Sequence, residues 1–102
     1  MRFLMFVCVD PGLTGEGDPA EWIASTGARR LEGGPLRDVG DATTLWPKDG
    51  GTFVSDGPFA ETKEFIAGYD IIECADLDEA VGIAAAHPVA KFGAIELRPV
   101  WE

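Results

Sequence analysis

Residues 2–9, Arg-Phe-Leu-Met-Phe-Val-Cys-Val, are apolar at odd and even positions alike. A strand made from them carries apolar side chains on both faces, so it belongs in the middle of a sheet and needs cover on both sides. The chain has 102 residues. That suffices for one core and not for two, so residues 1–102 are expected to form one domain. The apolar run is far shorter than the roughly 20 residues that span a bilayer. Only Arg2 precedes it as a basic residue and no small-residue cleavage site follows before Asp10-Pro11-Gly12, so it does not read as a signal peptide and a cytoplasmic location is expected.

Further along, Pro11, Gly12, Gly15 and Gly17 make a loop, and Asp18-Pro19-Ala20-Glu21 reads as N-cap, N1 proline and capping-box acid. The helix that starts there has Ala20, Ile23, Ala24, Gly27 and Leu31 at helical spacing, and Gly33-Gly34-Pro35 ends it. Residues 36–46 and 52–55 flank Pro47-Lys48-Asp49-Gly50-Gly51, whose Asp-Gly-Gly supplies the positive φ angles of a hairpin. Asp56-Gly57-Pro58-Phe59 is a turn by composition, and residues 60–64 have room for about one helical turn.

Residues 65–75 return to a strand pattern with Ile66, Tyr69, Ile71, Ile72 and Cys74. Asp76-Leu77-Asp78-Glu79 repeats the capping box, with Asp76 bonding the N–H of Glu79. Leu77, Ala80, Val81, Ala84 and Ala85 form the stripe of a second helix that Pro88 stops. Residues 93–101 alternate, with Ile95, Leu97 and Trp101 on one face and Glu96, Arg98 and Val100 on the other.

This order predicts an α+β fold: a ferredoxin-like split βαβ with an extra hairpin strand, in which an antiparallel sheet carries two helices on one face. The other face is left bare although the first strand is apolar on both. A second copy stacking its sheet on this one would cover it, so a homodimer is expected.

With 18 acidic against 8 basic residues the net charge is −10, which repels nucleic-acid phosphates and anionic lipid surfaces. Neither direct nucleic-acid binding nor membrane binding is expected. Cys8 and Cys74 sit in apolar runs and read as reduced core thiols. No metal is expected: there is no Cys or His cluster, and Asp38 and Asp41 read as lying on opposite faces of a strand. No cofactor is expected either, because the spacing of Gly12, Gly15 and Gly17 is wrong for a dinucleotide loop and Glu16 and Asp18 would repel phosphate.

The run Val54-Ser55-Asp56-Gly57-Pro58-Phe59-Ala60-Glu61-Thr62-Lys63-Glu64, with Gly68-Tyr69 after it, resembles the signature of the DGPF-type branch of the YCII-related family. Ala42-Thr43-Thr44, Ala75-Asp76-Leu77-Asp78-Glu79-Ala80 and Gly93-Ala94-Ile95-Glu96-Leu97-Arg98-Pro99-Val100 resemble that branch as well. The resemblance covers the first strand and the chain from about Gly34 onward. It implies a dimeric α/β barrel with a ligand-sized cleft beside each sheet. It also implies a bacterial setting, often beside an extracytoplasmic-function sigma factor. Related branches are similar to dehydrochlorinases and to enzymes with a His–Asp pair. The one histidine here, His87, stands at the end of the second helix, so that pair cannot simply be carried over to this chain. At a helix C-terminus histidine is favoured by the dipole, and His87 is expected not to be catalytic.

Asp56 is the first catalytic candidate, since a carboxylate that ends a strand and enters a turn can point into a cleft; the same residue type before Gly-Pro also bonds backbone N–H groups two residues on. Glu61, Thr62 and Lys63 offer a carboxylate, a hydroxyl and an ammonium within one turn for proton transfer or ligand anchoring. Glu96 and Arg98 share a face of the last strand, where an arginine would suit a carboxylate or phenolate ligand, or the two form a plain cross-strand ion pair. Tyr69 either presents its hydroxyl to the same cleft or packs with the hydroxyl satisfied. The residues favour a small-organic-ligand-binding or regulatory module. The alternative is a small enzyme using acid–base chemistry of Asp56 on a cyclic or aromatic substrate.

Overall fold

The chain folds, in the computed structural model, in the order β1 (Arg2–Val9), α1 (Ala20–Thr26), β2 (Arg30–Pro35), β3 (Thr43–Lys48), β4 (Gly51–Asp56), β5 (Phe65–Glu73), α2 (Leu77–Ala85) and β6 (Ala94–Pro99). Residues 1–10, 15, 17–60 and 64–102 are described. The sequence reading of residues 11–14 and 16 as loop, and of 61–63 as part of a helical turn, lies outside them.

The doubly apolar strand is central. β1 pairs antiparallel with β5 on one side and β6 on the other, and β2 closes the far edge, giving the order β2-β5-β1-β6. This is the ferredoxin-like α+β arrangement, in which each helix connects parallel strands that have a third strand between them. On β1, Phe3, Met5 and Val7 are buried, whereas Leu4, Phe6 and Cys8 are half-buried on the opposite side. Phe3 packs with Ile72, Cys74 and Ala80; Met5 and Val7 pack with Trp22 and Ala84. Each such side chain taken out of water contributes about 1.5–3 kcal/mol. The Nε1–H of Trp22 donates to the Ile83 carbonyl at 2.8 Å, which ties α1 to α2 across this layer.

Three expectations need correction. First, α1 is short: it stops at Thr26, where Gly27 takes φ 56°, and it buries Trp22 and Thr26 rather than the Ala20–Ile23–Ala24 face. The Gly-Gly-Pro segment thought to end it belongs to the edge strand β2, where Gly33 is required because a Cβ there would run into Asp70 Oδ1 and the Tyr69 carbonyl. Second, residues 36–42 are no strand. The hairpin is β3–β4 alone, turning on Asp49 (φ 48°) and Gly50 (φ 79°), and it forms a separate two-stranded sheet instead of adding a strand to the main one. Third, β6 ends at Pro99, so Trp101 leaves the core face and is 98% exposed.

On α2, Ala80 and Ala84 are buried while Leu77, Val81 and Ala85 face outward, because only the small side chains let the helix approach the sheet. The detached hairpin lengthens the molecule. Its radius of gyration is 15.6 Å, against about 13 Å for a compact chain of this size.

Candidate functional site

The helix-free side of the sheet and the turns that lead into and out of the hairpin flank a cleft of about 1150 Å³. Its shape follows from how the chain leaves β2. The N–H of Leu36 still donates to the Ala67 carbonyl at 2.8 Å, and the backbone then curls into a 3₁₀ turn at Val39–Asp41 closed by Asp41 N–H to Asp38 O and Ala42 N–H to Val39 O. Gly57, at φ 98°, donates its N–H to the Ala42 carbonyl at 2.7 Å and accepts from the Thr44 hydroxyl on its own carbonyl at 2.7 Å. Those two bonds hold the Gly57-Pro58-Phe59 turn beside the 3₁₀ turn. Phe59 lies against Trp46 with ring centroids 5.3 Å apart, and the indole N–H of Trp46 is held by the Ser55 hydroxyl at 2.9 Å.

Leu36, Val39, Ala42, Pro58, Phe59 and Ala60 form one wall of the cleft; Cys8, Phe65 and Ile66, from β1 and β5, form the other. The charged lining consists of Arg37, Asp38, Asp41 and Glu64. Arg37 Nε lies 3.2 Å from Asp41 Oδ2. Burial pushes the Cys8 thiol pKa up, and the nearby Glu96 and Glu64 carboxylates add to the rise, so the thiol stays protonated. An apolar concavity with a few charges on its rim suits a small organic molecule with one polar end.

The residues singled out from sequence are scattered relative to this cleft. Asp56 is exposed at the end of β4, does not line the cleft, and its carboxylate makes no hydrogen bond or ion pair with the described residues; the turn after it is held through Gly57 instead. Glu61, Thr62 and Lys63 lie outside the described residues. Arg98 Nη2 bonds Glu96 Oε2 at 2.7 Å along one strand rather than across two, on the helix-free face, with the guanidinium 5.8 Å from the Phe6 ring centroid. Tyr69, on the same face, donates its hydroxyl to Glu32 at 3.1 Å, and this bond leads the rise in its pKa. The thiols of Cys8 and Cys74 are both free, at opposite ends of the β1–β5 pair.

Two features escaped the sequence. Asp38 and Asp41 are not on opposite faces of a strand: the 3₁₀ turn places both on the cleft. Asp38-Val39-Gly40-Asp41 has the composition of a turn, which was the available signal. His87 is buried and does not act as a cation at a helix end. Its Nδ1 accepts the Val89 N–H at 3.1 Å, and burial lowers its pKa against the opposing pull of Asp70. Its ring stands edge-on to Trp22 at 4.7 Å between centroids.

The chain is similar to the uncharacterized protein R00369 of Rhizobium meliloti (strain 1021), 48% identical over 63 residues, which cover 58% of this chain and 49% of that protein. The chain thus matches about half the length of that curated relative. The family model of the YCII-related domain matches residues 3–102, nearly the whole chain, and the protein therefore belongs to the YCII-related family.

Proposed function

We propose that this domain binds a small organic molecule in the cleft between its sheet and the turns that flank its hairpin, and that it works as a homodimer. The cleft carries the reading: about 1150 Å³ of mainly apolar concavity is room for one drug-sized ligand and more. The homodimer rests on the remainder of the same helix-free face. Leu4, Phe6, Tyr69 and Ile71 are half-buried on a sheet face without a helix, flanked on the two edge strands by Glu32, which accepts the Tyr69 hydroxyl, and by the Arg98–Glu96 pair. An apolar centre within a polar rim is the anatomy of a protein interface. Leu45 and Val54, paired on one face of the hairpin and 64% and 57% exposed, extend the uncovered apolar surface.

The DGPF-type resemblance adds a regulatory role, as a partner in function of an extracytoplasmic-function sigma factor. A binder serves such a role by shifting its conformational population when loaded. Catalysis by Asp56 ranks second, since its carboxylate is outside the cleft lining.

Thermal unfolding against a fragment library tests the binding reading, with Ala60→Trp as the control. Ala60 is an exposed cleft-wall residue, so a tryptophan there fills the concavity without entering the core. Fragments that raise the melting temperature of the wild type by mass action and fail on Ala60→Trp support the site. Hits that stabilise both proteins equally refute it.

A further inference from the structure

We propose that the β3–β4 hairpin is a dimerisation arm, whose Leu45–Val54 face docks on a second copy of this chain. The inference rests on the homodimer reading and adds the surface by which each protomer holds the other.

Like β1, the hairpin has apolar side chains on both faces. Its antiparallel register sets Thr44, Trp46, Phe53 and Ser55 on one face and Leu45, Pro47, Thr52 and Val54 on the other. The first face is occupied from within the chain: Phe59 lies against Trp46, the indole N–H of Trp46 donates to Ser55, and the Lys48 ammonium stands 5.5 Å from the Phe53 ring centroid. On the second face all four residues are exposed, Leu45 at 64% and Val54 at 57%. A two-stranded hairpin alone in water is marginally stable and needs a packed face to hold its shape. This one joins neither edge of the main sheet, and the two bonds through Gly57 tether only its base.

Three observations make a second copy the occupant. The open face carries no charge from Thr43 to the turn, in a chain whose residues are 25% charged, and loss of charge marks the centre of a protein interface. The molecule is a slab of 48 × 36 × 18 Å, and one broad side exceeds the roughly 800 Å² per partner that a stable interface takes. The helix-free sheet face lacks cover as well, and there Arg2 and Arg98 each hold a carboxylate, Glu102 and Glu96, which offsets part of the like charge of two copies. One two-fold operation covers both surfaces: each arm docks on the other protomer, and the pair closes on itself instead of growing into a filament.

The test joins isotope-filtered NOE spectra of wild-type protein, mixed from labelled and unlabelled chains, to sedimentation equilibrium of the double variant Leu45→Thr/Val54→Thr. Threonine keeps the strand preference of these positions and removes apolar surface. NOE contacts from the Leu45 and Val54 methyl groups to the other protomer are expected, with a dimer dissociation constant raised about tenfold or more in the double variant. A wild-type dimer without such contacts, or a folded double variant that dimerises as tightly as the wild type, overturns the arm and leaves the homodimer standing. A wild-type monomer overturns the homodimer and the arm with it. The NOE contacts are read on the wild type, so they decide the matter even where the double variant loses its hairpin.

Discussion

Arg30 Nε lies 2.7 Å from Asp70 Oδ1, and this ion pair, largely buried, ties the edge strand β2 to β5 on the helix-covered side of the sheet. Removing one partner strands the other charge away from water, so Asp70→Ala is expected to cost about 3 kcal/mol. Urea unfolding measures this. A loss below about 1 kcal/mol would mean that Arg30 finds water as readily as it finds Asp70.

At the start of α2 the Asp76 carboxylate accepts the Glu79 N–H at 2.9 Å, and the Glu79 carboxylate accepts the Ala75 N–H at 3.2 Å. Asp76→Ala is expected to lower stability by about 1 kcal/mol, because it leaves an N-terminal donor of the helix without its partner. An unchanged urea midpoint would show that water replaces the cap at no cost.

His87 gives stability a pH dependence of definite sign. The folded state holds the ring neutral, with its pKa below the ordinary value, since Nδ1 receives a backbone N–H and burial disfavours the charged form. The unfolded chain therefore takes up the proton first as pH falls. This contribution is complete above about pH 6.5, the ordinary histidine value, and is lost as pH falls below it toward the folded value. His87→Asn keeps an acceptor for Val89 and has no proton to gain. Between pH 7.5 and pH 5.5, as two buffer conditions about two units apart, the variant is expected to lose less stability than the wild type in matched urea titrations. Equal losses would show that His87 titrates alike in both states.

Much of the fold was legible because its signals are local. The apolar-on-both-faces run of β1, the Asp-Gly turn at Asp49-Gly50 and the Asp76 cap each need only neighbouring residues, and each appears as read. The edge strand β2 was misread because nothing local marks it. Leu31 happens to fall at helical spacing from Ala20, while the residues that make Arg30–Pro35 a strand, Asp70 as ion partner and Tyr69 as register partner of Gly34, lie about forty positions away in sequence. The cleft was hidden for the same reason: its two walls come from β1 and from the 3₁₀ turn after β2, and Asp38 and Asp41 look unremarkable until that turn sets them side by side. The signature turn itself was found, although its structural weight falls on Gly57 rather than on Asp56.

The helix-free face leads to an expectation about assembly. Phe6 lies half-buried at its middle, paired with Tyr69 on one side and Glu96 on the other. Sedimentation equilibrium at low micromolar concentration is expected to give a dimer for the wild type. Phe6→Glu, which sets a charge in the apolar centre, should shift the protein to monomer. A folded wild-type monomer under those conditions would contradict the homodimer.

The most direct measurement of the central claim is a map of where a ligand sits. Amide and methyl NMR shifts recorded on titration with a fragment that raises the melting temperature of the wild type are expected to move together at Cys8, Val39, Ala42, Ala60 and Ile66, which meet only at the cleft. Another concavity, about 500 Å³ between α1 and the turn at Pro88–Lys91 and lined by Trp22, Ala86 and Lys91, should stay silent. Shifts confined to Trp22, Ala86 and Lys91, or spread thinly over the exposed hairpin, would contradict the placement of the binding site between the sheet and the turns that flank the hairpin.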